Sequence, residues 1–385
     1  MSRRSVTVLV AVGAAAVVVA SLLAGLVTGR DDARDRTPGA STPSAGADDD
    51  ALQIYTANEA GAAFLADYVE DDGRVERTDQ GGDTVSEGQA YALLVAVGVG
   101  DRQTFSAVWD WTKANLQRPD GLLSWRWEDG DVVDPSSASD ADLDAARALV
   151  LAGTDFGYPA FTADGVALGQ AVLNLETVRT GAGRILTAGQ WASTEPYSYN
   201  PSYASPVATA VLAEASGDPR WAELDEGSQR ITAALIDQSP LPPDWAQVHA
   251  DGRVEAMPGV QGRGQSVRYG YDAARTPIRF AESCDPADRV LAADMADALD
   301  RGGDVAELDL GGSPKGETES VVAAVGQAAA VAAAGENSRA ADELVDADHL
   351  QQLTPTYYGG AWAALGRFML TDDVLGGCPP VEAAA

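Results

Sequence analysis

Carboxylates with small or aromatic neighbours recur at three places in the sequence. Glu87 lies in the stretch TVSEGQAYALL, Asp140 lies in ASDADLD, and Asp272 follows Tyr271 with Arg275 three residues further on. Hydrolysis of a glycosidic bond needs two carboxyl groups, a protonated one that assists the leaving oxygen and an ionised one that activates water or attacks carbon. Glu87, Asp140 and Asp272 are therefore candidates for this chemistry.

Each of these carboxylates also has a purely structural interpretation. A Thr three residues before a Glu is typical of a capping box, in which Glu87 would bond back to the backbone of Thr84. Acidic residues suit a helix N-terminus, so Asp140 could cap or simply open a helix. Asp144, four residues on, would place a second like charge on the same face, which favours a ligand or partner for one of them. Asp272 could form an i,i+3 ion pair on a helix surface.

Aromatic residues accompany the carboxylates in the predicted loops and at the helix starts. Sugar rings stack their C–H faces on aromatic rings, so such a groove suits a polysaccharide, whereas the alternative is an aromatic-rich helical core. The candidates in or beside loops are Trp125, Trp127, Trp191, Tyr197, Tyr199, Tyr203, Trp245, Tyr357, Tyr358 and Trp362. Trp109 and Trp111 fall inside a predicted helix, and we expect them in the core.

Composition and motifs argue against several other functions. The formal net charge is −32, and a nucleic-acid partner would need a basic face. The two histidines, His249 and His349, have no Cys or His neighbours at zinc-ligand spacing, so we expect no metal. The sequence contains no G-x-S-x-G elbow, P-loop or dinucleotide fingerprint, and water with two carboxyls needs no cofactor.

Helical periodicity dominates from about residue 52, and strand-like alternation is scarce and short. An all-α fold of six helical hairpins, an (α/α)6 barrel, accounts for twelve helices without a long structureless gap. A helical solenoid is the alternative, but no fixed-period repeat supports it. The predicted helices are 58–70, 87–98, 102–116, 140–152, 164–175, 203–215, 219–238, 270–281, 286–299, 318–334, 338–350 and 356–371.

The N-terminus predicts export. Arg3 and Arg4 precede an apolar run at 6–27 that is long enough to span a bilayer, so residues 1–30 are a signal peptide or an uncleaved anchor. Residues 31–51 read as a flexible linker. We expect a monomer outside the cell, secreted or tethered to the outer face of the cytoplasmic membrane only through this segment. In that compartment Cys284 and Cys378 can form a disulfide, with two buried thiols as the alternative.

Seven blocks resemble glycoside hydrolase family 8, in order, over roughly residues 52–371. The blocks are TVSEGQAYALLVA at 84–96, WDWTKANLQRPDGLLSWRW at 109–127, DPSSASDADLDAARAL at 134–149, NPSYASP at 200–206, PPDW at 242–245, YGYDAARTPIR at 269–279 and TYYGGAWAALG at 356–366. The resemblance implies an (α/α)6 barrel and a catalytic domain over 52–385. Two departures, Ala90-Tyr91-Ala92 for Gly-Tyr-Gly and Ala145-Ala146-Arg147 for Ile-Ala followed by an aromatic or small residue, concern helix packing.

The resemblance also implies an endo-acting, inverting hydrolase of β-1,4-linked glycans and a role for each carboxylate. Glu87 in S-E-G-Q would be the general acid, Asp272 in Y-D-A-x-R the general base, and Asp140 in A-S-D-A-D the group that binds and distorts the sugar. Inverting geometry would separate the acid and the base by about 6.5–9.5 Å. The residues assigned to substrate binding are Arg275, which would orient the base, and the platforms Trp125, Trp191, Tyr203, Tyr357 and Tyr358.

The substrate implied by the resemblance is a cellulose-type β-glucan. Asp272 resembles the base of the members that act on glucan and xylan, although the acidic charge would also suit cationic chitosan. A chitosanase or xylanase of the same family is therefore one alternative. A non-catalytic polysaccharide-binding protein of the cell surface is an alternative of another class.

Overall fold

The structure is a computed structural model that describes residues 52–381. The predicted export segment at 1–30 and the linker at 31–51 lie outside the described residues, and their boundaries stay predictions. Among the residues that are described, no helix combines the length and the apolar character that a membrane span requires.

Thirteen α-helices form the framework of residues 52–381. They are α1 (Ala57–Tyr68), α2 (Ser86–Val99), α3 (Arg102–Asn115), α4 (Ser139–Asp155), α5 (Pro159–Leu175), α6 (Pro206–Ser216), α7 (Arg220–Gln238), α8 (Arg275–Ala281), α9 (Pro286–Ala293), α10 (Ala296–Gly302), α11 (Val321–Ala333), α12 (Asn337–Leu353) and α13 (Tyr357–Thr371).

The helices form two concentric rings. The inner ring runs α2, α4, α6, α8, α11 and α13, and α13 closes the ring against α2. Each inner helix packs on an outer partner, and the last pair joins α13 to α1 at the other end of the described chain. Nearly every residue of α2 and α11 is buried, as expected for helices covered on all sides. This architecture confirms the predicted (α/α)6 barrel.

Helix boundaries differ from the prediction in three informative places. The predicted helix 286–299 is two helices, because the chain turns at Asp294 and Met295 between α9 and α10. Helix α5 begins at Pro159, before the predicted start, since proline suits the first helical position. Helix α8 begins only at Arg275, so the residues just before it form a turn instead of a helix.

Short strands occupy the loops at the start of several inner helices. They are β1 (Thr84–Val85), β2 (Arg126–Glu128), β3 (Asp131–Asp134), β4 (Thr177–Thr180), β5 (Gly183–Leu186), β6 (Tyr197–Tyr199), β7 (Trp245–Val248) and β8 (Val254–Met257). They form three antiparallel sheets, β1-β2-β3, β4-β5 and β6-β7-β8. Val85 pairs with Arg126, so the first sheet fixes the loop that carries Trp125 beside the start of α2.

The core absorbs some aromatic residues that the sequence placed near loops. Trp109 is fully buried, as expected. Trp362 and Tyr199 are also buried, so they belong to the core and not to an exposed groove. Cys284 and Cys378 are joined as a disulfide with an S–S distance of 2.01 Å. The bond ties the segment after α13 to the segment after α8.

Candidate active site

A single buried guanidinium contacts all three candidate carboxylates. Arg275 Nη1 lies 2.8 Å from Asp140 Oδ2 and 3.7 Å from Glu87 Oε1, and Nη2 lies 2.9 Å from Asp272 Oδ1. Because Glu87 Oε1 and Asp272 Oδ1 contact two nitrogens of the same guanidinium, these two oxygens are at most roughly 9 Å apart. Inverting glycosidases separate their two carboxyls by about 6.5–9.5 Å. The structure therefore brings together residues that are 185 positions apart from Glu87 to Asp272.

Glu87 is the second residue of α2 and does not cap it. The N-cap residue is Val85, which makes no side-chain capping bond, and the Thr84 hydroxyl donates to the Val75 carbonyl at 2.8 Å instead. The capping-box interpretation of Glu87 is therefore wrong. Its side chain keeps 22% of its surface exposed. Trp125 Nε1 lies 3.4 Å from Glu87 Oε2, a long hydrogen bond that places the indole against this carboxylate.

Asp140 is the second residue of α4 and is almost completely buried. The N-cap of α4 is Ala138, without a side-chain bond, so Asp140 is not a cap. Burial raises the pKa of Asp140 well above its usual range, the nearby Glu87 charge raises it further, and Arg275 opposes both. Three carboxyls around one guanidinium would leave a net charge of −2 if all were ionised, so the cluster favours retaining a proton.

Asp272 lies in the turn before α8 with one third of its side-chain surface exposed. Burial is the main reason that its pKa rises to about 6, and the charges of Asp244 and Glu87 add to it. Arg275 and a hydrogen bond from Asn200 act in the opposite direction. Asp272 does form the i,i+3 ion pair with Arg275, but the guanidinium is buried, so the pair is not a surface feature.

Arg275 itself is fully buried. Its guanidinium packs over the Tyr203 ring at 5.4 Å from the centroid, and Nη1 also donates to the Tyr91 hydroxyl at 3.0 Å. The predicted role in orienting Asp272 fits these contacts. The assignment of Arg275 to direct substrate binding does not, because a guanidinium without exposed surface contacts carboxylates and not a ligand.

The candidate platforms differ in their access to solvent. Trp191 is 36% exposed, and its indole N–H donates to the Ser137 carbonyl at 3.1 Å. Tyr358 is partly exposed, and its hydroxyl donates to the Tyr271 carbonyl at 3.0 Å. Tyr271 is itself 38% exposed, and its ring lies 6.4 Å from that of Tyr358. Tyr271 is therefore a further exposed ring near the carboxylates, and its place beside Asp272 in the sequence is the signal for it.

Tyr357 is not an exposed platform. Only 2% of its surface is accessible, and its ring packs 5.8 Å from Tyr68 and 6.3 Å from Phe64. A Cβ atom at Gly88 would lie 2.7 Å from the Tyr357 hydroxyl, so the glycine after Glu87 makes room for that hydroxyl. Tyr357 thus packs behind the start of α2, and the expectation that a sugar stacks on it is corrected.

A cavity of about 330 Å³ lies near the start of α4. It is lined by Arg118, Pro135, Ser136, Ser137, Gln190 and Trp191. None of the three carboxylates lines it, so the cavity lies near the start of α4 and not at the cluster itself. Its wall combines polar side chains with one exposed indole, and an indole face is suited to stacking against a sugar ring.

Below the cluster, two further buried ion pairs connect α4 to the α8 segment. Arg279 contacts Asp144, and Arg147 makes two bonds to Glu282 at 2.7 and 2.9 Å. Together with Asp140 and Arg275, each pair joins residues 135 positions apart, so the two inner helices run parallel and in register. The three ion pairs, Asp140–Arg275, Asp144–Arg279 and Arg147–Glu282, form a ladder between α4 and the α8 segment. The sequence signal for this ladder is the i, i+4, i+7 spacing of charged residues in both helices, which does not by itself show that the two helices face each other.

Fold and site together define an (α/α)6-barrel protein of the glycosidase class. The sequence profile described as "Glycosyl hydrolases family 8" matches residues 51–366. The chain belongs to this family, which confirms the resemblance found in the sequence and the enzyme class that the resemblance implied.

Relatives and solved structures agree with this assignment. A protein described as a probable endoglucanase from Novacetimonas hansenii is 36% identical over 227 residues, which are 57% of this chain and 65% of the relative, so less than two thirds of the relative's length is matched. The endo-beta-1,4-glucanase CMCax from Acetobacter xylinum is 28% identical, with a TM-score of 0.69 over 82% of this chain and 97% of that one. A beta-1,3-1,4-glucanase from Paenibacillus sp. X4, 19% identical, has a TM-score of 0.73 over 81% of this chain and 90% of its own, which shows the fold alone.

Proposed function

We propose that this protein is an endo-acting, inverting hydrolase of β-1,4-linked glucan. The observation that carries the proposal is the shared contact of Glu87, Asp140 and Asp272 with Arg275. Such an arrangement supplies an acid and a base in one cleft, as hydrolysis of a glycosidic bond requires. The endoglucanase and endo-β-1,4-glucanase names of the relatives support a glucan as the substrate.

In this mechanism Glu87 is the general acid. Its carboxyl is accessible to a ligand, and Trp125 lies against it. In this role Glu87 would pass a proton to the glycosidic oxygen as the bond from that oxygen to the anomeric carbon breaks.

Asp272 is the general base on the other side of the bond. It accepts a proton from water while the water oxygen attacks the anomeric carbon, so the configuration at that carbon inverts. A base must be ionised before it can accept a proton, and the pKa of about 6 makes Asp272 ionised above that pH. Arg275 holds one oxygen of Asp272 in place. The family resemblance gives Asp140, on the same guanidinium, the role of binding the sugar at the point of cleavage, through the 3% of its side-chain surface that is exposed.

Two other glycans as substrate, and a binding protein in place of an enzyme, are alternatives that the same experiment tests. Xylan and chitosan are β-1,4-linked as well, and the net charge of −32 would attract a cationic polymer. A non-catalytic binding protein would use the exposed aromatic rings without the acid and the base. The contact of three carboxylates with one buried arginine favours the enzyme, since binding alone does not call for such a cluster.

We also propose that the protein acts outside the cytoplasm, either secreted or anchored by its N-terminal segment. Arg3 and Arg4 before the apolar run at 6–27 support export. The bond between Cys284 and Cys378 supports the same location, because structural disulfides persist in oxidising compartments.

The experiment is hydrolysis of carboxymethyl cellulose, mixed-linkage β-glucan, xylan and chitosan, followed by new reducing ends and by NMR of the product anomer. We expect the α-anomer to appear first from a β-glucan and to be lost in Asp272→Asn. Asp288→Asn is the matched control, since Asp288 is a buried aspartate on the outer helix α9. A β-anomer as first product would contradict inversion, and no hydrolysis of any glycan would favour the binding protein.

A further inference from the structure

Asp244 holds the turn that carries Asp272. It is buried in the loop between α7 and β7, within the PPDW block to which the proposed mechanism assigns no role. Asp244 Oδ1 accepts hydrogen bonds from the backbone N–H of Gly270 at 2.8 Å and of Ala273 at 3.0 Å. These two donors flank the base on its two sides, so one carboxylate oxygen fixes the backbone from which the Asp272 side chain projects.

The close approach of Asp244 depends on Gly270. A Cβ atom at position 270 would lie 2.7 Å from Asp244 Oδ2, closer than real contacts allow, and 3.2 Å from Oδ1, which is a tight contact. The backbone N–H of Asp244 also donates to the Arg268 carbonyl at 2.9 Å, and Arg268 Nε contacts Asp244 Oδ2 at 3.1 Å. The turn is therefore bonded to Asp244 at three residues, Arg268, Gly270 and Ala273.

The charge of Asp244 also acts on the base. Burial raises the pKa of Asp244, while its two backbone bonds and Arg268 favour the ionised form. Among the charges near Asp272, that of Asp244 is the main one that raises the pKa of the base to about 6. The titratable or charged groups that face Asp272 from the surrounding elements are Glu87 on α2, Arg275 on α8, Asp244 and Arg268 in the loops, Tyr203, and Tyr358 on α13.

We propose that Asp244 is the positioning residue of the catalytic base: it aims Asp272 through the Gly270 and Ala273 bonds, and its negative charge sets the pH at which Asp272 becomes active. The role rests on the proposed function of Asp272 as a base. Asp244 itself, bonded to the backbone behind the turn, touches neither substrate nor water in the reaction.

The first variant is Asp244→Asn in the full chain. Asparagine keeps an oxygen that can accept the two backbone bonds and removes only the charge. The acidic limb of the pH profile of kcat/KM reports the ionisation of an essential base. We expect this limb to move toward lower pH by roughly one unit, because a like charge near the base has been removed. Asp288→Asn, the matched buried aspartate, should leave the limb in place.

The second variant is Asp244→Ala, which removes the hydrogen-bond acceptor as well. We expect kcat to fall by about 10- to 100-fold with KM changed by less than about twofold, since a small misplacement of a reacting group has effects of this size. If Asp244→Ala does not fold, Asp244→Asn alone decides the matter. A wild-type acidic limb in Asp244→Asn, or an equal shift in Asp288→Asn, would overturn the proposal.

A titration separates this proposal from the proposed function. Carboxyl carbon NMR of protein labelled at aspartate follows Asp272 directly, and Asp272→Asn identifies its signal. A lower titration midpoint for Asp272 in Asp244→Asn supports the role of Asp244 even if the protein hydrolyses none of the glycans. An unchanged midpoint overturns that role even if hydrolysis is observed and depends on Asp272.

Discussion

At the scale of single residues, Arg275 decides how the site works. One guanidinium presents five N–H donors in a rigid plane, and here they reach Asp140, Asp272, the Tyr91 hydroxyl and the edge of Glu87. Three carboxyls can lie this close because the buried arginine contacts all of them and neutralises part of their charge. The same closeness makes the protonation of one carboxyl depend on the others, which an acid and base pair requires.

The role of Glu87 can be separated from a role in stability. Glu87→Gln keeps the shape but cannot donate the proton, so we expect hydrolysis to fall at least 100-fold while glucan binding is retained. Because Glu87 does not cap α2, the free energy of unfolding should change by less than about 0.5 kcal/mol. The matched variant is Thr56→Ala, which breaks the capping box that Thr56 and Glu59 form at α1.

Thr56→Ala should lower the unfolding free energy by about 1 kcal/mol with activity unchanged. Urea unfolding and reducing-end release measure the two effects. If Glu87→Gln instead loses stability and keeps most of its hydrolysis, Glu87 has a structural role and is not the general acid.

The buried carboxyl of Glu176 makes the free energy of unfolding depend on pH. Glu176, at the end of α5, is fully buried, and burial raises its pKa to about 7, although Ser137 and Arg118 act in the opposite direction. The folded state therefore favours the protonated form. Protonated Glu176 contributes fully to the free energy of unfolding below its unfolded pKa of about 4.5, and this contribution is lost as the pH rises through 7.

Glu176→Gln stays neutral at every pH and should lose this dependence. Relative to the wild type, the variant should gain stability between pH 4.5 and pH 7, by an amount on the order of 3 kcal/mol at the upper end. Urea unfolding at several pH values measures the difference. The control is Glu226→Gln, an exposed glutamate on α7. A stability difference that does not change with pH would contradict the assignment to Glu176.

At the scale of elements, the ion pairs between α4 and the α8 segment stabilise the site only while both charges of each pair are present. Arg279 is buried between Asp144 and the Trp362 ring. Arg279→Met leaves the Asp144 charge without its partner, so we expect a loss of about 3–5 kcal/mol in unfolding free energy. The double variant Asp144→Leu with Arg279→Met removes both charges and should recover most of that loss.

A double-mutant cycle in urea measures the coupling between the two residues. If the changes in unfolding free energy of the two single variants simply add in the double variant, Asp144 and Arg279 are not energetically coupled. Activity measured on the double variant then reports whether the middle rung matters for the position of Arg275 above it.

The elements also show how far sequence could predict this protein. Helix periodicity predicted the all-α class, and short motifs indicated Glu87, Asp140 and Asp272 as candidates, because these signals are local. Arg275 as a shared partner and the burial of Tyr357 depend on contacts between distant segments. The backbone bonds of Asp244 span 26 and 29 residues, and the rungs of the ladder span 135, so no local pattern specifies them.

At the scale of the whole molecule, the barrel closes by joining the two ends of the described chain. The Gln53 N–H donates to the Gln352 side chain across 299 residues, and the α1 and α13 helices pack together. Beyond α13 the chain continues under the α4–α8 ladder, where the Leu375 carbonyl accepts two bonds from Arg147, at 2.7 and 3.0 Å. The bottom rung of the ladder is therefore completed by the C-terminal segment.

The disulfide holds that segment in place, so it should stabilise the molecule without taking part in the reaction. Cys284 and Cys378 close a loop of 94 residues, and cross-linking a loop of this length stabilises a fold by about 2–5 kcal/mol, mainly by restricting the unfolded chain. The double variant Cys284→Ser with Cys378→Ser should lose that amount in urea unfolding and should keep its kcat well below the unfolding transition, because the Arg275 cluster is two rungs away. Wild type treated with a reductant should match the double variant, and the variant treated in the same way is the control. A large loss of kcat in a fully folded variant would mean that the C-terminal segment acts on the carboxylates around Arg275 through the Arg147–Glu282 pair, and this pair would then be part of the site.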